Sequence, residues 1–383
     1  MIMKHRVIAI NLPQFHPFPE NDEWWGKGFT EWTNVTKAQP RFKGHYQPHL
    51  PTDTGFYDLR LPEARQMQAD MARESGIYGF CYYHYWFNGK QLMERPVNEI
   101  LKSGKPDFPF MLCWANENWS RNWDGGFSKV LIEQNYSDDD DIAHIRWLCK
   151  NVFSDKRYIR VEGRPVYAIY RIDLFPNIKK TIDNWRRIAT DEFGMDLYLM
   201  NVEFLDSTRG KNALIKGFDA SLDFQPISVY KTPLNRVHKH FRLGFLLSKI
   251  PFVRSRKIVS RFLSKLPDIY YYEEYVNYCI NQPFPDYKWY PCVSPGFDNS
   301  PRRENNKCLI FVGSTPILFG RWLRSTLKKF VPYSEYENFV FINAWNEWAE
   351  GNHLEPDRKW GRAYLEETRR CVDDDNVSTV GSI

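Results

Sequence analysis

Residues 6–20, RVIAINLPQFHPFPE, decide which α/β fold the sequence favours. The first seven residues form an apolar, β-branched run typical of a buried strand, and Pro13 ends it. A doubly wound sheet that binds dinucleotides needs a glycine-rich phosphate loop directly after its first strand. Residues 11–20 contain no glycine. The stretch therefore favours an α/β barrel over a doubly wound sheet.

Similar apolar runs recur along the chain and alternate with segments of helical spacing. Eight runs are predicted as strands, at 6–12, 77–87, 108–116, 164–171, 196–204, 218–226, 289–299 and 338–348. Helices are predicted at 63–76, 137–153, 178–194 and 316–330, with Ser137 as an N-cap and Gly76 and Gly194 as stops. Near-continuous apolar strands that alternate with helices are typical of parallel sheets. Eight such units predict a single (β/α)8 TIM barrel with its active site at the C-terminal face.

The composition is that of a globular chain of 383 residues, 43% hydrophobic and 16% aromatic. Seven cysteines without CxxC spacing favour reduced thiols in a reducing compartment. The first residues lack a signal-peptide pattern, and no stretch approaches the roughly 20 apolar residues of a membrane span. We therefore expect a cytoplasmic protein.

Positive charge is concentrated in a basic segment, residues 231–265. This segment contains ten Lys/Arg and neither Asp nor Glu, whereas the whole chain has a net charge of +5. Cationic and apolar residues alternate in it, as in helices that lie on anionic membrane surfaces. Two interpretations stay open: peripheral contact with the inner face of the membrane, and packing of an amphipathic insert on the barrel. Nucleic acid is not expected as a partner, because no recognition fold is evident.

The expected domain organisation follows from these segments. We expect one catalytic barrel over 1–370, which includes a basic helical insert at 227–285 after the sixth strand. A polar, flexible tail is predicted over 371–383.

Polar and aromatic residues gather at the carboxyl ends of five predicted strands. In a barrel these ends open onto one face, so side chains far apart in sequence meet there. One polar strand end carries little weight, but five together favour a binding cleft. The predicted substrate-binding residues are His16, His84, Tyr85, Trp86, Trp114, Asn116, Glu117, Trp119, Asp298, Asn299, Arg302, Trp345, Asn346 and Trp348.

Glu347 and Glu350 are the candidate catalytic residues, in FINAWNEWAEG at 341–351. If the chain turns helical after the strand, residues at i and i+3 lie about 5–6 Å apart. Two carboxyls at such a spacing suit glycoside chemistry, and burial against indole would keep one of them protonated as an acid. The alternative is an ordinary pair of acids in a first helical turn. The barrel context and the flanking tryptophans favour catalysis.

Other chemistries fit less well. The sequence has no HExxH, GxSxG or Walker motif. His16, His45, His49 and His84 have no metal-ligand spacing, so no metal and no cofactor are expected. The acidic runs at 137–141 and 371–375 are better explained by helix capping and a solvated tail than by metal binding.

Seven motifs in order resemble the WbsX-type glycosyltransferase family, which is related to glycoside hydrolase family 99, the endo-α-mannosidase type. The resemblance runs from about residue 6 to about residue 368, and the basic segment is not part of it. The motifs are PQFHP (13–17), GFTEWTNV (28–35), YQPHLP (46–51), GFCYYHYWF (79–87), CWANENWSRNWDG (113–125), PGFDNSPRR (295–303) and NAWNEWAEGNHLEPD (343–357).

The resemblance implies a (β/α)8 barrel and a retaining reaction at a metal-independent site. By position, Glu347 would be the base that deprotonates the sugar 2-hydroxyl, and Glu350 the general acid/base at the glycosidic oxygen. It also implies a role in bacterial surface polysaccharide synthesis, that of O-antigen, lipopolysaccharide or capsule. The expected partner is a glycan, either lipid-linked or supplied by a sugar nucleotide.

Three alternatives to a glycosyltransferase stay open. The chain could be an endo-α-mannosidase-like hydrolase, a non-catalytic glycan-binding protein, or an interaction module tethered to membrane-bound assembly enzymes. Retention of both glutamates argues against the second.

Overall fold

A computed structural model describes residues 4–120, 130–203, 210–226, 232–234, 267–303 and 308–377. The strands are β1 (Arg6–Asn11), β2 (Gly79–Phe87), β3 (Lys90–Leu92), β4 (Phe110–Trp114), β5 (Trp119–Ser120), β6 (Val130–Ile132), β7 (Arg160–Val161), β8 (Arg164–Ile169), β9 (Tyr198–Glu203), β10 (Ala220–Asp223), β11 (Asp268–Tyr271), β12 (Trp289–Tyr290), β13 (Cys292–Val293), β14 (Leu309–Val312), β15 (Phe339–Ile342), β16 (Asn346–Glu347) and β17 (Asn352–His353). The α-helices are α1 (Pro19–Trp25), α2 (Glu31–Lys37), α3 (Pro62–Glu74), α4 (Arg95–Ser103), α5 (Asp138–Asn151), α6 (Ile178–Phe193), α7 (Gly210–Ile215), α8 (Tyr272–Asn281), α9 (Pro316–Lys329) and α10 (Ala363–Val377). Short 3-10 helices lie at Ile172–Leu174, Ser300–Arg302 and Trp348–Glu350.

The central sheet is parallel and follows chain order around a ring. From β1 it runs through β2, β4, β8, β9 and β10 to β12, and in the other direction β1 pairs with β15, which pairs with β13. Only Pro291 separates β12 from β13, so together they serve as the seventh strand and complete the ring. The predicted (β/α)8 barrel is confirmed.

The seventh strand is shorter than the predicted run at 289–299. Proline has no backbone N–H, so Pro291 interrupts the ladder and leaves two pieces of two residues. Its carbonyl still accepts the Phe341 N–H at 2.8 Å, which holds the break against β15. After Val293 the chain leaves the sheet and enters the loops that form the mouth.

The barrel strands are buried on both faces. All six residues of β1 and all four of β15 are buried. This is the burial that the near-continuous apolar runs predicted, because helices cover the outside of the ring while side chains fill its inside.

Helix ends follow their sequence signals. The Ser137 hydroxyl accepts the Asp140 N–H at the start of α5, and Thr315 caps α9 through the Leu318 N–H. Gly194 follows α6 in the left-handed region at a φ of +63°, which glycine adopts without strain. The acidic run at 137–141 therefore serves as a helix start, as predicted.

The insert and the tail were predicted at 227–285 and 371–383. Of the basic segment, only residues 232–234 fall within the described residues; 231 and 235–265 lie outside them. The end of the insert forms β11, which pairs with β14 in a small parallel sheet, and α8. Residues 371–377 complete helix α10, with Cys371 and Val372 buried, because the pattern of that segment puts apolar side chains against the barrel. A frayed tail is thus wrong for 371–377, and 378–383 lie outside the described residues.

Across the described part of the chain, no helix is both long and apolar enough to cross a membrane.

Candidate active site

Glu347 and Glu350 follow the last barrel strand on one short turn. The chain leaves β15 at Ile342, forms β16 and then makes one 3-10 turn over Trp348–Glu350. Residues three apart are eclipsed in such a turn, so both carboxylates reach the same partner. Gly351 ends the turn at a φ of +55°, and a Cβ there would meet Asp298 Cβ at 3.0 Å. Backbone conformation and close contact therefore both require glycine.

Arg302 joins the two glutamates to a third carboxylate. Its Nη2 donates to Glu347 Oε2 at 2.7 Å, its Nη1 to Glu350 Oε1 at 2.6 Å, and its Nε to Glu31 Oε1 at 2.7 Å. We call these four residues the Arg302 cluster. The side chains of Arg302, Glu31 and Glu347 are at most 8% exposed, whereas Glu350 is 21% exposed. Glu350 is thus the member most open to a ligand.

Asp298 connects the turn that carries Arg302 to the turn that carries Glu350. Its Oδ1 accepts the Ser300 N–H at 2.9 Å, and its own N–H donates to the Glu350 carbonyl at 2.5 Å. Its Oδ2 lies 2.6 Å from both His45 Nε2 and Gln47 Nε2. Burial opposes ionisation of Asp298, but the bonds from His45 and Gln47 hold its pKa below the ordinary value. Asp298 is therefore a positioning group.

The members of the Arg302 cluster shift one another's pKa values. Desolvation is the largest effect on Glu347 and raises its pKa from 4.5 to about 8; the neighbouring Glu350 and Glu31 carboxylates add to the rise, and Arg302 opposes it. Arg302 is desolvated too, yet its three carboxylate neighbours raise its pKa well above the ordinary value. Burial therefore favours the protonated form of Glu347, while the neighbouring carboxylates favour the charged form of Arg302.

Three tyrosines surround the glutamates. Tyr83 and Tyr85 lie two residues apart on β2 and so share one face of the strand, and Tyr170 follows β8. Burial is the main reason that the pKa of each tyrosine is raised. The charge of Glu347 adds to the rise for Tyr83 and Tyr85, and the charges of Glu117 and Glu350 add to it for Tyr170. The tyrosines remain neutral, which suits them to contact a sugar face.

Three other predicted residues lie on the opposite, outer side of the strands. His84 Nε2 lies 3.0 Å from His144 Nε2 on α5, Trp86 donates to Asp140 Oδ1 at 2.9 Å, and Trp114 packs edge-on against the His144 ring. Successive strand residues point to opposite faces, so a strand that turns Tyr83 and Tyr85 inward must turn His84 and Trp86 outward. The structure does not bring these three residues to the Arg302 cluster.

The loop after β4 contributes mainly to the rim. Asn116 donates to the Arg171 carbonyl at 2.8 Å and accepts the Arg171 N–H, which ties two strand ends together. Glu117 forms an ion pair with Arg171, and burial raises its pKa. Trp119 stacks on Tyr85 with ring centroids 5.7 Å apart. Of these residues, Glu117 and Trp119 are the ones near the cleft wall.

His16 and Asn299 hold loops in place. His16 Nδ1 lies 3.0 Å from the Pro13 carbonyl, and desolvation lowers the pKa of its buried ring to about 4. Asn299 Oδ1 accepts the Leu309 N–H at 2.9 Å.

The last strand end is held by a buried carboxylate that the sequence reasoning missed. Glu355 accepts four hydrogen bonds: Oε1 from Trp345 Nε1 at 2.9 Å and Gln68 Nε2 at 2.8 Å, Oε2 from Trp348 Nε1 at 2.6 Å and Tyr57 at 2.8 Å. Desolvation raises the pKa of Glu355 to about 7 in spite of these donors. Trp345 and Trp348 are thus supports beneath the glutamates.

Asn346 closes the ring of strands at its mouth. Its Oδ1 accepts the Leu12 N–H at 2.7 Å, and its Nδ2 donates to the Leu12 carbonyl at 3.0 Å. The pair of bonds mimics one step of a sheet ladder between the ends of the first and last strands.

Glu31 and Glu355 are the functional residues that sequence reasoning overlooked. Glu31 lies in the motif GFTEWTNV and Glu355 in the motif NAWNEWAEGNHLEPD, and both motifs contribute to the family resemblance. Within those motifs, no periodicity identifies a buried acid, because Glu31 starts α2 and Glu355 lies in the loop after β17.

Residues 7–368 match the family model described as Glycosyltransferase WbsX. The protein WxcX of Xanthomonas campestris pv. campestris strain B100 is 40% identical over 368 residues, which cover 96% of this chain and 49% of that protein. WxcX of strain ATCC 33913 gives the same values. The chain therefore spans about half the length of the curated relatives it matches.

Solved structures share the fold. The GH99 endo-alpha-mannosidase from Bacteroides thetaiotaomicron superposes with a TM-score of 0.58 at 14% identity, over 99% of this chain and 100% of that one. A structure described as a glycoside hydrolase-like protein gives a TM-score of 0.57 at 16% identity, over 96% and 94% of the two chains. At such identities the likeness shows the barrel alone.

Proposed function

Because this chain belongs to the WbsX glycosyltransferase family and is a carbohydrate-active enzyme, we propose that it transfers glycosyl groups with retention through Glu347 and Glu350. The observation that carries this proposal is the Arg302 cluster, in which one guanidinium holds both carboxylates by bonds of 2.6 and 2.7 Å. A single guanidinium that bonds both carboxyls keeps them close together, and retaining pairs need a separation of roughly 5 Å.

The first half of the proposed reaction forms an anhydro sugar. Ionised Glu347 removes the proton of the sugar 2-hydroxyl, and that oxygen attacks the anomeric carbon. The glycosidic bond breaks, and Glu350 gives its proton to the leaving oxygen. The raised pKa of Glu347 makes it a stronger base once it is ionised, which suits a weakly acidic hydroxyl.

The second half reverses these roles. Glu350 takes a proton from the acceptor hydroxyl, the acceptor oxygen attacks the anomeric carbon, and the anhydro ring opens. Glu347 returns its proton to the 2-oxygen. Two inversions at one carbon give net retention. The greater exposure of Glu350, at 21%, fits the group that meets both the leaving and the accepting oxygen.

Arg302 positions the pair and limits its charge. A planar guanidinium fixes the direction of each carboxylate bond, which lysine cannot do. Because its charge remains when protons move between the glutamates, it also reduces the energy of states in which both are ionised. Tyr83, Tyr85, Tyr170 and Trp119 provide neutral, aromatic walls for the sugar ring.

The ion pairs of Arg302 affect which donor substrate the site favours. A sugar nucleotide needs cationic groups for its diphosphate, and Arg302 already bonds three carboxylates. This favours a donor whose leaving group is a sugar, as in a transglycosidase. The same observation supports a second candidate function, an endo-α-mannosidase-like hydrolase, in which water is the acceptor.

We place the reaction in the synthesis of bacterial surface polysaccharide, on the cytoplasmic side of the membrane, with a lipid-linked glycan as substrate. The basic segment, 231–265, would hold the enzyme at anionic lipid, at about 1 kcal/mol per Lys or Arg near the surface. Co-sedimentation with anionic vesicles at low salt tests this: the whole chain should bind, and a 231–265 deletion should not.

The Glu350→Gln variant tests the catalytic proposal. Purified protein is incubated with lipid-linked glycan, with and without sugar nucleotides, and products are measured by mass spectrometry. We expect the variant to lose about 10²–10⁴-fold in turnover, since it cannot exchange a proton, while calorimetry still detects glycan binding. Glu192→Gln, an exposed change on α6, is the matched control. Full turnover by Glu350→Gln would rule out the proposed pair.

A further inference from the structure

A small cavity of about 100 Å³ lies directly behind the catalytic turn. Asp298 and Gly351, which neighbour the Arg302 cluster, form part of its wall. The rest of the wall comes from the segment before α3, the chain after β13, β14 with its following loop, and the chain from β17 to the start of α10. Its lining side chains include three histidines and two aspartates. His45 and Asp298 bond each other at 2.6 Å, which leaves His49, His353 and Asp357 as a separate group.

His353 presents a nitrogen lone pair to this cavity. Its Nδ1 lies 2.9 Å from the Glu355 carbonyl, which can only accept, so Nδ1 carries the proton. Its Nε2 is therefore an acceptor, and it lies 3.0 Å from His49 Nδ1. The ring stacks on Trp348 with centroids 3.8 Å apart, which fixes its plane. A backbone carbonyl that orients the far nitrogen is the usual support of a metal-binding histidine.

His49 and Asp357 complete a set of three donors. His49 is half-buried and packs against Tyr46, with ring centroids 4.5 Å apart. The buried Asp357 accepts the Lys359 and Trp360 N–H groups at 3.0 and 2.6 Å, both on Oδ1. One donor atom from each of the three residues falls within 4.8 Å of the others.

We propose that His49 Nδ1, His353 Nε2 and a carboxylate oxygen of Asp357 bind a divalent transition-metal ion, with Zn²⁺ the first candidate. Two imidazoles and one carboxylate suit Zn²⁺ and its neighbours in the first transition row, whereas Mg²⁺ and Ca²⁺ prefer oxygen donors. Tetrahedral bonds of about 2.0–2.2 Å put donor atoms roughly 3.3–3.6 Å apart. The two imidazole nitrogens, now 3.0 Å apart, would move slightly apart on binding, and all three donors already fall within 4.8 Å of one another. On binding, the His49 proton moves from Nδ1 to Nε2, so the ring stays neutral.

Nearby charges act in both directions. Asp298 adds negative charge beside the cavity, although His45 and Gln47 already bond it. The Lys359 ammonium opposes a cation, but it lies 4.8 Å from the Tyr46 ring centroid and 5.0 Å from that of Trp360, where the aromatic faces attract it.

A bound ion would join the loop after β1 to the strand end that carries the glutamates. His353 stacks on Trp348, and Trp348 precedes Glu350 by two residues, so the ion would stiffen the catalytic turn. This site stands apart from the chemistry of the glutamates, and its test does not require glycan turnover.

Metal binding is measured on whole, tag-free protein that has been treated with chelator and dialysed. Titration calorimetry with ZnCl₂ should give about one equivalent, and Co²⁺ should produce the visible absorption of a low-coordinate site. The His49→Gln and Asp357→Asn variants should each weaken Zn²⁺ by more than about tenfold. Asp357→Asn retains the acceptor for the Lys359 and Trp360 N–H groups.

His84→Gln is the matched control. It disrupts a different histidine pair, His84 and His144, whose ring nitrogens are also 3.0 Å apart. Within the described residues, this pair has no third donor close enough to form a metal-type cluster. His84→Gln should leave Zn²⁺ affinity unchanged. Pulsed EPR with Cu²⁺ should detect two imidazole nitrogens in the parent and one in His49→Gln. No stoichiometric binding, or equal binding by the parent, His49→Gln and Asp357→Asn, would overturn the proposal.

Discussion

Replacing Arg302 with methionine tests how the catalytic site is held together. The substitution keeps much of the side-chain volume but removes the cation that three carboxyl groups, two of them buried, share at 2.6–2.7 Å. Removing one partner of a buried ion pair costs about 3–5 kcal/mol, because a charge is left without compensation. Three carboxylates lose their partner here, and protonation relieves part of that cost.

Because protonation of the carboxylates reduces the cost, the stability loss of Arg302→Met depends on pH. Arg302 opposes the raised pKa of Glu347, so without Arg302 that pKa rises further, and the folded variant binds more protons than its unfolded chain. Stability of the variant must then fall as pH increases. We expect Arg302→Met to be about 3–5 kcal/mol less stable than the parent near pH 8 and less affected near pH 6.

Urea unfolding at the two pH values, followed by circular dichroism, measures this difference. Arg302→Lys is the control, since it retains the charge without the planar fork and should lose about 1–3 kcal/mol. Adding Glu31→Gln to Arg302→Met should recover part of the loss, because one buried charge is removed. A stability within about 1 kcal/mol of the parent near pH 8 would show that the cluster is not an electrostatic unit.

Three further predictions follow from the same contacts. Glu347→Gln should gain stability relative to the parent as pH rises from about 5 to about 9, because only the parent must ionise a buried carboxyl whose pKa is about 8. A melting temperature that changes with pH equally in both proteins would contradict this prediction. Turnover should increase with pH as Glu347 becomes a base, and a rate that instead declines from pH 6 upward would show that ionisation of Glu347 does not limit turnover. Glu355→Gln should lower the free energy of unfolding in urea by about 2–4 kcal/mol, since its amide N–H₂ would face indole or phenol donors. Tyr57→Phe removes only one donor and should lower it by about 1 kcal/mol. Equal losses would be inconsistent with the four-bond arrangement.

The barrel was predictable because its strands leave a strong local signal. Runs such as 6–12 and 338–348 are apolar on both faces, and only a parallel sheet covered by helices buries both. The seventh strand was overestimated because periodicity does not register that Pro291 breaks a ladder. The tail was misjudged because the acidic residues at 373–375 concealed the apolar face formed by Cys371 and Val372.

The site was predictable where a strand end itself carries the chemistry. Arg302 lies on the segment that follows β13, and Glu347 and Glu350 lie on the segment that follows β15, so the fold brings them to one face. His84 and Trp86 were included because they end a strand, yet alternation along β2 turns them outward and turns Tyr83 and Tyr85 in.

Contacts between distant loops left no such signal. Glu31 reaches Arg302 over 271 residues of sequence, and Glu355 collects donors from three separate segments of chain. Buried acids of this kind depend on tertiary packing, and neither helical nor strand periodicity encodes their positions.

The anomeric configuration of the product tests the central claim most directly. Lipid-linked glycan is incubated with purified protein, and the new glycosidic or reducing-end signal is followed by NMR from the first turnover. We predict a product that retains the configuration of the donor, formed by the parent and lost in both Glu347→Gln and Glu350→Gln. An inverted product, or a retained product still formed by either variant, would contradict the proposed chemistry of the pair.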